Sequence, residues 1–200
     1  MENKKDVKLS KDFWIILLTI CIILVIVVTV GFILFVNREE EVITKTVKGG
    51  GLVLNYTGKN TTFTLEELKP TTDSVAIKDL TDDNYFDFSI DVGLDNAPSI
   101  EYEVAVVKDK KNSNISDDDI KIYLEQEKSG TYTKVFGPSK YIPLKHDTDL
   151  GSVEGSMLLT KVKKIKSTTD NYRLRIWQSD KSVTKDGKYS LEIIVNGQAK

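Results

Sequence analysis

Apolar and polar residues alternate with a period of two over most of the chain beyond residue 84. In NYFDFSIDVGL (84–94), Phe86 and Phe88 share one face of an extended segment and Asp87 lies on the other. The same pattern recurs in SIEYEVAVV (99–107), DIKIYLEQ (119–126) and YSLEIIVNG (189–197). Because successive side chains of a strand point to opposite faces, the pattern predicts strands with one face toward a core and the other toward water.

Further strands are predicted at residues 52–56, 131–136, 156–165 and 171–178, with turn-forming residues between them. The segment TLEELKP is different, because Thr64 and Glu67 have the spacing of a helical capping box before Pro70. No helical pattern alternates with the strands, which argues against a parallel α/β sheet. The chain is therefore predicted to be all-β, with an antiparallel β-sandwich of the jelly-roll or immunoglobulin-like type.

An apolar run precedes the strands. FWIILLTICIILVIVVTVGFILFV (13–36) contains 24 residues without a charge. A helix of that length spans roughly 36 Å, which exceeds the ~30 Å hydrocarbon core of a bilayer. The run is too long for the apolar region of a signal peptide, and no small-residue cleavage site follows it. It predicts a single transmembrane helix that contacts the lipid bilayer and stays in the protein as a signal anchor.

Lysine residues decide the predicted orientation of this helix. The first twelve residues contain four lysines, whereas Arg38 is the basic residue closest to the other end of the run. Positive charge favours the cytoplasmic side. The sequence VITKTVK (42–48) fits either a first strand or an extended stalk. The predicted organisation is a cytoplasmic tail (1–12), a transmembrane helix (13–36), a stalk (37–51) and an extracytoplasmic β-sandwich domain (52–200) of a single-pass cell-membrane protein.

Composition argues against several classes of function. The formal net charge of −2 gives no general attraction to nucleic acid. The one cysteine, Cys21, lies in the apolar run, so a domain beyond it must be stable without disulfides. The one histidine, His146, could belong to a Ser-His-Asp arrangement, but the sequence has no Gly-x-Ser-x-Gly motif. We interpret His146 as a polar loop residue.

A basic and aromatic row is predicted in NYRLRIW (171–177). Lysine accounts for 25 of the 28 basic residues of the chain, so two arginines in one strand are unusual. Alternation would place Arg173, Arg175 and Trp177 together on the outer face. One interpretation is structural, with cross-strand pairing to glutamates. The candidate partners are Glu101, Glu103 and Glu192. The alternative is a patch that binds a surface protein or glycan, because arginine and tryptophan favour interface hot spots.

Two acidic loops are candidates for calcium binding. Asp82 and Asp83 lie in LTDDNY (80–85), and the loop NSNISDDDI (112–120) has a run of three aspartates. This run is Asp117, Asp118 and Asp119. Oxygen-bearing side chains alternate there as in an EF-hand loop, but the sixth position is aspartate instead of glycine and the twelfth is tyrosine. The EF-hand motif therefore fails, and the aspartates are interpreted as caps of a turn. No cofactor is expected, with a calcium ion as the alternative if the two loops meet.

Two short motifs resemble known surface proteins. LKPTTD (68–73), followed by an alternating strand, resembles the Leu-Lys-Pro-Gly-Asp turn of camelysin-like and biofilm-fibre surface proteins of Gram-positive bacteria. YRLRIW (172–177) and a closing strand that ends in Asn-Gly resemble the C-terminus of uncharacterised membrane-anchored surface proteins of the same bacteria. The resemblance implies a jelly-roll-like sandwich displayed outside the cell. Thr71 stands where the family has glycine, and no residue here supports the protease activity attributed to camelysin.

The sequence therefore predicts a membrane-anchored cell-surface protein that displays a non-catalytic β-sandwich for binding or for envelope or matrix structure. Two alternatives stay open. One is a membrane-tethered extracytoplasmic hydrolase or metal-dependent enzyme. The other is a single-pass subunit of a membrane complex, although the apolar run has no Gly-x-x-x-Gly motif for helix pairing.

Overall fold

The computed structural model describes residues 17–25, 41–46, 53–58, 62–79, 85–94, 97–184 and 187–200. Contacts divide the chain into two units, Met1–Glu39 and Glu40–Lys200. The described part of the first unit is helix α1, residues 17–25. Among the described residues, no helix combines the length and the apolar character needed to cross a membrane. The remainder of the predicted membrane segment, residues 13–16 and 26–36, lies outside the described residues.

The second unit is built mainly of strands, as predicted. They are β1 (Glu41–Thr46), β2 (Val53–Gly58), β3 (Thr62–Leu68), β4 (Pro70–Thr71), β5 (Tyr85–Gly93), β6 (Ile100–Lys108), β7 (Ile120–Lys128), β8 (Thr131–Ser139), β9 (Met157–Lys164), β10 (Thr168–Ser179) and β11 (Gly187–Ala199). Two short helical segments occur in its described part: helix α2 (Asp73–Ala76) and a 3-10 turn (Asp117–Asp119). The prediction of an all-β fold is confirmed for this unit.

The strands form two sheets. The first has seven strands in the order β1-β2-β5-β10-β7-β8, with the short strand β4 paired to β10. The second has four strands in the order β3-β11-β6-β9. Neighbouring strands run antiparallel, except that β4 and β10 are parallel. Strand β10 is central in the first sheet, because it pairs with β5 on one side and β7 on the other.

The two sheets face each other across one apolar core. The inward faces predicted for β5, β6, β7 and β11 are all buried, and side chains of both sheets belong to the same cluster. Phe63 of β3 packs against Phe86 of β5 with ring centroids 5.6 Å apart. Phe88 stacks on Tyr172 at 5.4 Å. Alternation at period two therefore predicts these buried faces correctly, because each sheet has one face in the core.

The terminal strands differ in how they discourage further pairing. Strand β9 contains Lys161, Lys163 and Lys164. Strand β8 contains Gly137 and Pro138, and its register with β7 shifts near them. Lysine, proline and irregular register all hinder the addition of another strand at a sheet edge. Strand β3, with the sequence TFTLEEL, has neither lysine nor proline, and its register is irregular only near its end, at Glu66 and Glu67.

The helical turn predicted around Thr64 and Glu67 is wrong, because these residues belong to β3. The register between β3 and β11 shifts by one residue, so Glu66 and Glu67 both lie opposite Lys188. Glu67 has a φ of 54°, in the left-handed region that residues with a long side chain rarely adopt. Pairing with a strand far along the chain outweighs the local capping signal.

Strand β1 lies within residues 37–51, the segment predicted as a stalk. It pairs with β2 in an antiparallel register that runs from Glu41 opposite Gly58 to Thr46 opposite Val53. Of the two interpretations of this alternating segment, the strand is the one observed. The first sheet therefore begins before residue 52, where the sandwich domain was predicted to start.

Candidate functional site

The outer face of the seven-stranded sheet carries the predicted basic and aromatic row. Leu174 and Ile176 of β10 are buried in the core. Their neighbours Arg173, Arg175 and Trp177 lie on the opposite face, as alternation requires. The three residues have different surroundings, because helix α2 packs against only one end of this face.

Arg173 lies between two tyrosine rings. Its Cζ is 4.0 Å from the ring centroid of Tyr85 and 4.1 Å from that of Tyr132. Its Nε and Nη2 donate to the two carboxylate oxygens of Asp87, each at 2.7 Å. The bond to Asp87 raises the pKa of Arg173 above its usual value, so the guanidinium stays charged. The Asp87 side chain is 42% exposed and the Arg173 side chain 14%, so this neutralised, aromatic arrangement reaches solvent mainly at the carboxylate.

Arg175 is buried, in contrast to the exposed position predicted for the row. Its Nε donates to Glu125 Oε2 at 2.9 Å, and Nη1 donates to the backbone carbonyl of Asp79. A buried charge needs such partners, because transfer out of water without them is costly. The residue is therefore part of the structure of this face rather than of its exposed surface.

Trp177 is also buried. Its ring lies 6.3 Å from that of Tyr123, in an edge-on arrangement, and it packs with Ala76 of α2. The indole Nε1 donates to Asp73 Oδ1 at 3.1 Å. The indole thus attaches α2 to the sheet. Of the three residues predicted as a binding patch, Arg173 is the one that retains access to solvent.

The glutamates predicted as partners of the arginines lie on other strands. Glu101 and Glu103 belong to β6 and Glu192 to β11, both in the four-stranded sheet. The observed partners, Asp87 and Glu125, lie on β5 and β7. The hydrophobic pattern identifies faces but not neighbours, because the pairing order depends on contacts between distant segments.

The three aspartates of the second acidic loop form the 3-10 turn before β7. Ser116 caps this turn, since its Oγ accepts from the backbone N–H of Asp118 at 3.3 Å. Lys108 Nζ and the Tyr189 hydroxyl donate to Asp117 at 2.6 and 2.8 Å. Further partners are Lys140 for Asp118 and Thr184 for Asp119. A cation bound here would have to displace two lysines.

The other acidic residues, Asp82 and Asp83, lie outside the described residues. In the described part of the chain, no three His, Cys, Asp or Glu side chains are grouped closely enough to hold a metal ion. His146 is exposed in the loop between β8 and β9. Its neighbour Asp147 accepts a hydrogen bond from the backbone N–H of Glu154 at 2.7 Å.

A buried polar cluster between the sheets was not predicted. The Tyr102 hydroxyl donates to Asp170 Oδ2 at 2.5 Å. Gln126 Nε2 and Lys164 Nζ donate to Asp170 Oδ1 at 3.0 and 2.6 Å. The Tyr172 hydroxyl lies 2.6 Å from that of Tyr102. The sequence feature that could have predicted this cluster is Asp170, because it is a charged residue at an inward position of β10 and must find partners there.

Burial raises the pKa of both Tyr102 and Tyr172 well above the usual range. Both phenols are therefore protonated at neutral pH and act as hydrogen-bond donors. The carboxylate of Asp170 has a lysine counterion and further donors, so its burial is compensated. This arrangement stabilises the contact between the sheets and leaves no reactive group free.

A groove of about 750 Å³ lies beside β3. It is bounded by residues 63–69 on one side and by Thr71, Val75, Ala76 and Asp79 on another, with Ile176 and Trp177 of β10 completing it. The bulge at Glu67 is part of its wall. Sequence reasoning missed this groove, because it depends on β3 being a terminal strand.

Comparison with solved structures gives distant similarities. No protein family model and no curated protein matches the sequence. Among solved structures, AvmM, which catalyses macrocyclization in alchivemycin A biosynthesis, has 9% identity and a TM-score of 0.30 over 79% of this chain and 96% of its own. The mannan-recognising carbohydrate-binding module TmCBM27 has 6% identity and a TM-score of 0.22 over 80% and 81%. Neither similarity is strong enough to carry an argument about function.

Proposed function

We propose that this chain is a single-pass cell-membrane protein that displays a non-catalytic β-sandwich outside the cell, for binding or for envelope structure. The observation that carries the proposal is the uncharged run of residues 13–36, followed in sequence by a unit with its own core. The lysines among residues 1–12 support a cytoplasmic N-terminus.

The fold of the displayed unit is a jelly roll in this proposal. Strand order supports it over an immunoglobulin-like arrangement. With β1, β2 and β4 set aside, the other eight strands can be numbered 1 to 8 in chain order. The four-stranded sheet then has the order 1-8-3-6 and the facing strands the order 2-7-4-5. Successive strands mostly change sheet, as in a jelly roll of two Greek keys, whereas an immunoglobulin sheet keeps hairpin neighbours together.

The binding surface in this proposal is the arrangement of Tyr85, Arg173, Tyr132 and Asp87. Tyrosine and arginine are enriched at recognition hot spots. Tyrosine buries a large area at a small cost in side-chain entropy. Here both rings and the guanidinium are held in place before any partner arrives, which lowers the ordering cost of binding. A surface protein or glycan is the class of partner that such a surface suits.

The proposed topology can be tested with the chain's single cysteine removed by Cys21→Ser. Cysteine is then introduced either at Glu2 or at Val183, which is 92% exposed, and intact cells receive a membrane-impermeant maleimide. We expect labelling of the Val183→Cys variant on intact cells and of the Glu2→Cys variant only after lysis. The reverse pattern, or labelling of both only after lysis, contradicts the proposal.

A further inference from the structure

The groove beside β3 follows the edge of the strand rather than one of its faces. Phe63 and Leu65 are buried toward the core, whereas Thr64 and Glu66 alternate with them, yet all four line the groove. Consecutive residues, whose side chains lie on opposite faces of a strand, line one groove where it runs along the backbone edge. The groove therefore places the backbone of β3 within reach of a ligand.

That edge has no neighbouring strand in the described part of the chain. Strand β3 ends the four-stranded sheet and pairs with β11 on its other side. Backbone groups of a terminal strand can pair with an added strand. Two other edges discourage this, β9 with its lysines and β8 with Pro138, and β3 has neither lysine nor proline. Regular pairing could extend along Thr62–Leu65, up to the bulge.

Charge and exposure at the end of this edge indicate the chemistry of the occupant. Three of the charged lining residues, Glu66, Glu67 and Asp79, are acidic, and one, Lys69, is basic. The Glu66 side chain is 68% exposed although it pairs with Lys188 at 2.7 Å. Val75, which also lines the groove, is 57% exposed and offers an apolar contact.

We propose that this groove binds an extended basic peptide of a partner protein, which adds as a strand to β3 and places lysine or arginine beside Glu66 and Glu67. Backbone hydrogen bonds would supply affinity, and alternate side chains would supply selectivity. The inference rests on the proposed binding role of the β unit but uses a different surface from that around Arg173. It does not depend on the membrane topology.

The test uses the full-length chain purified in a mild detergent and fluorescent peptide probes. One probe is an acetylated Val-Lys repeat of eight residues, and the other replaces each lysine by glutamate. We expect the basic probe to bind at least about tenfold more tightly, because like charges at the rim repel the acidic one. Probes N-methylated on alternate residues, in each of the two possible phases, lack half of their backbone donors. One phase should lose binding and the other retain it.

Glu67→Lys should weaken binding of the basic probe about tenfold. Glu154→Lys, at an exposed site outside the groove, makes the same charge change and should have no effect. If Glu67→Lys fails to fold, Val75→Lys tests the same wall. Equal affinity for both probes overturns the proposal. Equal binding of both N-methylated probes also overturns it. A dimer that persists in sedimentation when peptide is added overturns it as well, because a second copy of the chain would then fill the groove. Cysteine labelling on cells is independent of these variants, so the proposed topology and the proposed peptide binding can be disproved separately.

Discussion

The hydroxyl oxygens of Tyr102 and Tyr172 lie 2.6 Å apart and connect the two sheets inside the core. A phenol has one proton to donate, and that of Tyr102 goes to Asp170. Tyr172 must therefore donate to Tyr102. The order of donation is Tyr172 to Tyr102 to Asp170, which makes Tyr102 the residue on which both bonds depend.

Tyr102→Phe should destabilise the protein more than Tyr172→Phe. The first substitution removes two hydrogen bonds, one of them to a buried carboxylate, and should cost about 2–3 kcal/mol. The second removes one bond between neutral groups and should cost about 1 kcal/mol. Urea unfolding followed by circular dichroism measures both values. Equal losses would show that the assigned order of donation is wrong.

Stability should fall steeply above about pH 10, where unperturbed tyrosine ionises. Burial raises the pKa of Tyr102, Tyr172 and Tyr189 in the folded protein. The folded state then holds protons that the unfolded state has lost, so stability is intact below pH 10 and decreases as pH rises toward the folded pKa. Each such tyrosine contributes a slope of about 1.4 kcal/mol per pH unit.

The control for this alkaline effect is the double variant Tyr102→Phe/Tyr172→Phe. Lysines titrate in the same range, but their number is unchanged in this variant. The free energy of unfolding between pH 9 and 11 should therefore fall less steeply with pH than in the wild type. An unchanged slope would mean that these two phenols do not cause the loss of stability at alkaline pH.

Arg175→Ala should be far more damaging than Arg173→Ala. Removing Arg175 leaves Glu125 buried without its counterion, at a cost of about 3–5 kcal/mol. Removing Arg173 breaks a partly exposed pair and its ring contacts, at about 1 kcal/mol. A double-mutant cycle of Arg175 with Glu125, measured by urea unfolding, should show strong coupling. Similar losses for the two alanine variants would contradict the burial described for Arg175.

Gly137→Ala should destabilise the protein by about 2 kcal/mol or more, because φ of +79° disfavours any side chain and an added Cβ collides with the carbonyl oxygen of Ile122. Gly130 has the same φ but open space around the position of a Cβ. Gly130→Ala is the matched control and should cost only about 1 kcal/mol. Thermal unfolding compares the two, and equal shifts in Tm would rule out the collision.

Alternation predicted the inward faces of β5, β6, β7 and β11 because burial of one sheet face imposes a period of two on the sequence. The partners of the arginines were not predictable in this way. Arg173 and Asp87 are 86 positions apart, and Arg175 and Glu125 are 50 apart. No local signal encodes such pairings. The burial of Trp177 follows from the placement of α2, which the pattern does not determine either. The membrane segment stays a prediction from the uncharged run.

The pairing of β3 with β11 has a consequence for the biogenesis of the protein. Thr64 and Ser190 form a hydrogen bond across 126 positions of the chain. The chain is synthesised, and would be exported, in the direction from β3 toward β11. Strand β3 therefore emerges long before the strand with which it pairs. We expect folding of the β unit to wait until its last strand is released, with a rate limited by closure of long loops. Until then the early strands are exposed and unpaired, so chaperones that hold extended apolar segments would act on this interval.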